Sequence, residues 1–252
     1  MIGILDSGIG GLSVFREIRK VLPEQSYVYY SDNAHCPYGE KTREYIIDRA
    51  RAITRFLLDK GCEIIVVACN TATAAAIATL REEFQIKFIG MEPAIKPAAQ
   101  ATKTGVVGVL ATAGTLKATK YNDTRARWAE NVRIVEHIGQ GFVELVEKGI
   151  TTGPDAESTV RTSLIPLLDA GADMIVLGCT HYPFLSETIS KVASEAYPER
   201  NIEIIDPAPA VARHLIEVMV EEGVQTASKE GFHIELHASG ASATLLATYN
   251  RL

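Results

Sequence analysis

At 252 residues, with 47% hydrophobic and 22% charged side chains, the chain is long enough for one large domain or two compact ones with their own cores. A net charge of −6, without a basic cluster or interleaved aromatics, gives no electrostatic footprint for nucleic acid or an anionic membrane, so small molecules are the expected partners. The four cysteines, Cys36, Cys62, Cys69 and Cys179, form no CxxC pair and no dense framework, which excludes a disulfide scaffold as the organising principle and fits reduced thiols in a cytoplasm.

In chain order, MIGILDSGIGG lacks the basic region and cleavage site of a secretory signal; it reads as a buried strand, Ile2 to Leu5, running into a glycine turn and an amphipathic helix near Leu12. A strand from Tyr27 to Tyr30 follows, then a loop holding Asp32 and Pro37-Tyr38-Gly39. Ile46, Ala50, Ile53 and Leu57 recur at helical spacing and predict a helix over Thr42 to Asp59, with Arg43, Asp48 and Arg55 facing solvent. The stretch from Ile64 to Leu80 follows Glu63 and is interrupted by Asn70, Thr71 and Thr73, so it reads as strand plus helix, not a membrane span. Further strands are expected at Phe88 to Ile89, Gly105 to Leu110, Arg133 to Glu136, Met174 to Leu177 and Ile202 to Ile205. A helix from about Asp155 to Asp169 carries Val160, Leu164 and Leu168 in register, with Pro166 predicting a kink or a broken last turn. His233 to His237 alternates like an exposed edge strand with solvated histidines. Apolar runs alternating with amphipathic segments make the fold class α/β, with parallel sheets flanked by helices.

The halves repeat. LLDKGCEIIVVACNT from Leu57 aligns without a gap with LLDAGADMIVLGCTH from Leu167, pairing Cys69 with Cys179. IGILDSG echoes VGVLATAG from Val107, and Glu92-Pro93-Ala94 echoes Asp206-Pro207-Ala208, in the same order. Two similar α/β domains follow, expected over 1–96 plus 208–252 and over 97–207, with the two proline segments as crossovers and hinges. An approximate two-fold relation would bring both cysteines to one shared cleft. Duplication without shared chemistry is the plainer reading, but both cysteines fall at the carboxyl end of a predicted strand, where open parallel sheets bind ligands.

Free cysteine usually just packs, and Cys62 reads that way. Cys69 and Cys179 differ: Asn70-Thr71 and Thr180-His181 follow them where a strand yields to a helix, and helix N-termini favour thiolate, the form that acts as a base. Cys36, in HCPYG, is a further loop thiol without a counterpart. In Asp6-Ser7-Gly8-Ile9-Gly10-Gly11 the glycines let backbone amides point at an anion, and a carboxylate suits the motif better than a phosphate because the dinucleotide and P-loop spacings are missing. Asp6 is open between holding a substrate ammonium, exchanging a proton with a thiol, and capping the helix. Tyr38 and the Gly39 amide either complete an anion pocket or make a turn.

DSGIGGLSV, PYG, CNTAT, EPA and GCTHYP, in this order and spacing over nearly the whole chain, resemble the glutamate racemase family. The resemblance implies two similar α/β domains enclosing an amino acid, no pyridoxal phosphate, no metal, and D-glutamate supplied to peptidoglycan synthesis. It implies Cys69 and Cys179 as the two bases, and substrate contacts from Asp6, Ser7, Tyr38, Gly39, Asn70, Thr71, Thr115, Thr180 and His181. Acidic or imidazole helpers map to Asp6 and Asp32 beside the first cysteine, and to Glu147 and His181 beside the second.

Inversion at Cα needs a proton removed from one face and delivered to the other, which a thiolate and a thiol on opposite walls can do with roles that reverse with direction. The carbanion must be stabilised electrostatically. No arginine lies in these motifs, so carboxylates are expected to meet neutral donors and helix ends. Three other readings stand beside this one. An aspartate racemase would share fold and thiols; a non-catalytic two-domain amino-acid-binding protein would leave the mirrored cysteines unexplained; a zinc hydrolase using Cys69, Cys179, His181 and His35 would find too few convergent ligands. A homodimer is compatible with the sequence without being specified by it.

Overall fold

The computed structural model describes residues 1–229 and 231–252. The chain divides into two units: Met1–Met91 with Ala208–Leu252, and Glu92–Pro207. The expected boundary at 96 moves back, because Ile95 and Ala98 are fully buried in the core that contains Val107, Val109 and Met174, so the segment after Glu92 belongs to the second unit.

The first unit runs β1 (Ile2–Asp6), α1 (Leu12–Val21), β2 (Ser26–Ser31), 3₁₀ turns at Asn33–His35 and Tyr38–Glu40, α2 (Arg43–Asp59), β3 (Ile64–Val67), α3 (Asn70–Glu83) and β4 (Lys87–Ile89). In the second come α4 (Ile95–Ala101), β5 (Val106–Ala111), α5 (Ala113–Lys117), α6 (Thr119–Trp128), β6 (Arg133–Ile138), α7 (Phe142–Glu147), α8 (Pro154–Asp169), β7 (Met174–Gly178), a 3₁₀ turn at Tyr182–Leu185, α9 (Ser186–Ala196) and β8 (Glu203–Ile205). The chain then returns to the first unit with α10 (Ala208–Glu221), β9 (His233–Ala238) and α11 (Ala243–Tyr249).

Both sheets are parallel throughout, in the order β4-β3-β1-β2-β9 for the first unit and β6-β5-β7-β8 for the second. Every residue of β1, β3 and β7 is buried, as strands covered on both faces require, and this is why they read as unbroken apolar runs rather than alternations. β9 is a half-exposed edge strand, where His237 Nε2 meets Glu235 Oε2 at 3.0 Å and Lys60 Nζ donates to the same oxygen at 2.7 Å.

The α2 stripe is buried as its spacing predicts, and Thr42 caps the helix by accepting from the Tyr45 amide. α8 continues through Pro166 to Asp169 without the expected break. Proline removes one helical donor, but it lies on the exposed face beside exposed Thr162, so the carbonyl it leaves unpaired is open to water.

The two repeated segments fold alike. Each helix ends on a glycine with positive φ, Gly61 at 81° and Gly171 at 99°. The Cys62 amide donates back to the Leu57 carbonyl and the Ala172 amide to that of Leu167, both at 3.1 Å, before the chain enters β3 or β7. Among the described residues no helix is long and apolar enough to cross a membrane.

Candidate active site

In the first unit, β3 delivers Cys69 to the N-cap of α3, and its Sγ accepts the Ala72 amide at 3.4 Å. The amide and the N-terminal helix dipole both favour a thiolate here. The sulfur also lies 3.7 Å from Ser7 Oγ, which brings the DSG loop to the thiol. That loop is organised by Asp6, fully buried, whose Oδ2 accepts the Gly8 amide at 3.2 Å and the Gly11 amide at 2.8 Å. Gly11 has to be glycine: a Cβ would stand 2.7 Å from Asp6 Cβ and 2.8 Å from the Tyr29 hydroxyl. Of the roles left open for Asp6, the structure supplies the cap of the loop.

Asn70 opens α3 beside Cys69. It is 3% exposed, and neither its Nδ2 nor its Oδ1 has a hydrogen-bond partner among the described residues. A buried amide left in this way costs roughly 1–3 kcal/mol per group, so its retention points to a ligand. Thr71, the next residue of α3, and Ser7, in the glycine loop, are also buried.

Asp32 sits in a buried ion pair. Its side chain is fully buried and grips Arg49 through two bonds, Nε to Oδ2 at 2.9 Å and Nη2 to Oδ1 at 2.7 Å, while the Tyr38 hydroxyl donates to Oδ2 at 2.5 Å. Burial alone would raise the carboxyl, but the bonds from Arg49 and Tyr38 outweigh it and hold Asp32 below the usual carboxylate range. Burial, then the neighbouring Asp32 charge, pushes the Tyr38 phenol far up. The Tyr38 hydroxyl hydrogen is thus directed at Asp32.

In the second unit, β7 delivers Cys179, with Gly178 before it held so close to β5 that a Cβ would meet Ala111 Cβ at 2.7 Å and the Leu110 carbonyl oxygen at 3.1 Å. Cys179 Sγ lies 3.8 Å from His181 Nδ1, and His181 Nε2 lies 2.7 Å from Glu147 Oε1 at the end of α7. An ionised Glu147 accepts from Nε2–H, so a neutral imidazole turns the lone pair of Nδ1 toward the sulfur. The His181 side chain is 2% exposed and that of Glu147 21%. Tyr182 braces the turn by donating to the Gly139 carbonyl at 3.3 Å. Thr180 is buried; Thr115 is buried in α5, its amide donating to the Thr112 hydroxyl at 3.2 Å.

Two strand-end cysteines, each at a parallel sheet's carboxyl edge, agree with the comparison to known proteins: a family profile described as Asp/Glu/Hydantoin racemase matches residues 2–215. The chain belongs to this racemase family. The glutamate racemase of Methylococcus capsulatus is 49% identical over 225 residues, 89% of this chain and 81% of that one. A glutamate racemase isoform from Bacillus anthracis superposes with a TM-score of 0.87 at 31% identity, covering 100% of this chain and 92% of that one. Escherichia coli glutamate racemase, solved with L-glutamate and the activator UDP-MurNAc-ala, gives 0.86 at 35% identity, covering 99% and 94%.

Against this racemase background Cys62 is structural. Cys62 is buried, its thiol pushed up to about 11 by burial, and packs where a side chain on Gly3 would otherwise sit. His35, invoked for a zinc site, has Nδ1 on the Tyr45 hydroxyl at 2.5 Å and Nε2 at 4.0 Å from Asp32 Oδ1. Arg49 belongs to no motif; its one signal in the sequence is its position on the apolar stripe of α2, between Ile46 and Ile53.

Proposed function

We propose that the protein racemises glutamate without a cofactor, with Cys69 and Cys179 as the two bases and D-glutamate destined for peptidoglycan. The observation that carries this reading is that each unit seats a buried cysteine at the carboxyl end of an internal strand, beside groups able to steady sulfur or exchange its proton. The name of the Methylococcus relative and the L-glutamate in the Escherichia coli structure support glutamate as the substrate.

In one direction a thiolate takes the Cα proton: the C–H bond breaks, an S–H bond forms and the pair of electrons stays on carbon. The thiol at the opposite face then gives its proton to carbon and becomes thiolate, so the enzyme finishes with its two sulfurs exchanged in state. His181 steadies either state of Cys179, accepting from the thiol through Nδ1 when neutral and donating to the thiolate when protonated, with Glu147 fixing the ring. At Cys69 the Ala72 amide and Ser7 hydroxyl do the corresponding work. An amino acid offers a carboxylate acceptor and an ammonium donor, which are the complements of the unpaired Nδ2 and Oδ1 of Asn70. Asp6 orders the glycine-loop amides beside Cys69.

Incubation of the chelator-treated protein with L-glutamate in D₂O should give loss of optical rotation with deuterium at Cα. Cys69→Ala and Cys179→Ala should each abolish racemisation. Full racemisation in either variant would sink the assignment, as would dependence on added pyridoxal phosphate. L-Aspartate in the same assay should turn over far more slowly.

A further inference from the structure

Arg49 is the one guanidinium of α2 turned into the first unit's interior. Its neighbours Arg43 and Arg55 are exposed, and Arg51 is held at the surface by Asp48 and Glu83. Both of the bonds it makes go to one carboxylate in a planar fork, an arrangement that lysine cannot reproduce. That carboxylate, Asp32, is fully buried and also accepts a hydrogen bond from the Tyr38 hydroxyl, and its backbone amide donates to the Asp6 carbonyl at 2.9 Å. Asp32 therefore joins the Asp6 loop to the Tyr38–Glu40 turn. The turn packs against α3, and Tyr38 lies in the same apolar cluster as Cys69, the N-cap of that helix.

We propose that Arg49 is a positioning residue for proton exchange at Cys69: by clamping Asp32 it holds the Tyr38-Gly39 turn in register with the thiol. This rests on the racemase reading above. A buried carboxylate is tolerated only when its charge is met. Take the guanidinium away and, among the described residues, Asp32 is left with the Tyr38 and Ser239 hydroxyls and, at 4.0 Å, His35 Nε2. The carboxyl then either protonates, so that Tyr38 loses its acceptor, or turns outward and takes Tyr38 with it. Either outcome loosens the Gly39 amide without touching substrate or sulfur. At Cys179 the support is of another kind: His181 Nδ1 lies 3.8 Å from the sulfur, and Glu147 holds the far side of the ring at 2.7 Å.

The test is a pH–rate profile of glutamate racemisation for the wild type, Arg49→Lys, Arg49→Met, Asp32→Asn and the Arg49→Met/Asp32→Asn pair. Arg49→Met should lose on the order of tenfold or more in kcat/KM, with the acid limb moved to higher pH because Asp32 titrates there once its partner is gone. Arg49→Lys, which keeps the charge but cannot make the fork, should recover only part of the loss and leave a smaller shift of the acid limb in the same direction. The double variant should be no worse than Asp32→Asn alone, since Arg49 acts through Asp32. A wild-type profile in Arg49→Met, or losses that add in the double variant, would overturn the proposal. If Arg49→Met does not fold, Arg49→Lys decides: an unshifted acid limb overturns the proposal and an upward shift supports it. A wild-type protein that fails to racemise glutamate takes down the racemase reading and this inference together, whereas an active wild type with indifferent Arg49 variants removes only the latter.

Discussion

At the scale of single residues, function and stability pull against each other at Asn70. Its amide is buried and neither atom is paired among the described residues, so it costs the folded protein what it can return to a ligand. Asn70→Ala should therefore raise the melting temperature while raising KM for glutamate on the order of tenfold, which is about 1.4 kcal/mol of lost binding. Calorimetry and steady-state kinetics on the same preparation read both, and a variant that melts lower would show that the amide is paired after all. Residues such as Cys69, Cys179 and Asn70 were legible in sequence because they lie in short contiguous motifs, doubled by the repeat. Glu147 was legible only through the resemblance, because its meaning depends on α7 bringing it to His181 across a gap of sequence. The link from Arg49 to Asp32 was not legible, because an arginine on a helix is ordinarily a solvated residue and only the folded chain supplies the buried carboxylate that it meets.

At the scale of elements, most strands could be read because buried parallel strands are unbroken apolar runs, and α2 because its stripe is regular. The start of α4 could not: a helix of seven residues has too few turns to declare its apolar face, and Ile95 becomes a core residue only through the second sheet. The entrance to β5 is a similar case. Asp173, just before β7, accepts from the Thr102 hydroxyl and from the Lys103 and Thr104 amides, clipping the loop that feeds the neighbouring strand. Burial would raise its carboxyl, but these bonds outweigh it and hold it below the ordinary range. The stabilisation is thus complete above the unfolded value of about 3.9 and is lost as pH falls through the lower folded one. Asp173→Ala should cost about 1–3 kcal/mol in urea unfolding at pH 7, with the difference from wild type shrinking below about pH 4. A gap that stays constant down to pH 2 would assign the loss to packing alone.

At the scale of the molecule, the two units differ in how the chain composes them. The second is one uninterrupted stretch, Glu92–Pro207, containing all four strands of its sheet, whereas the first is assembled from two stretches that flank it. A fragment of residues 92–207 should accordingly fold alone, with cooperative thermal loss of circular dichroism and protected amides in β5 and β7; a fragment of residues 1–91 should not, because it lacks α10, which covers α1, and β9, which closes on β2. A disordered 92–207 would contradict this division. The late position of β9 also matters to a ribosome. While residues up to Pro207 emerge, the contiguous unit can settle at its own pace, but β2 waits with one row of amides and carbonyls unpaired until His233–Ala238 arrives. For that interval the nascent chain carries an adhesive parallel edge, so slow decoding after Pro207 prolongs the time in which neighbouring chains can capture it.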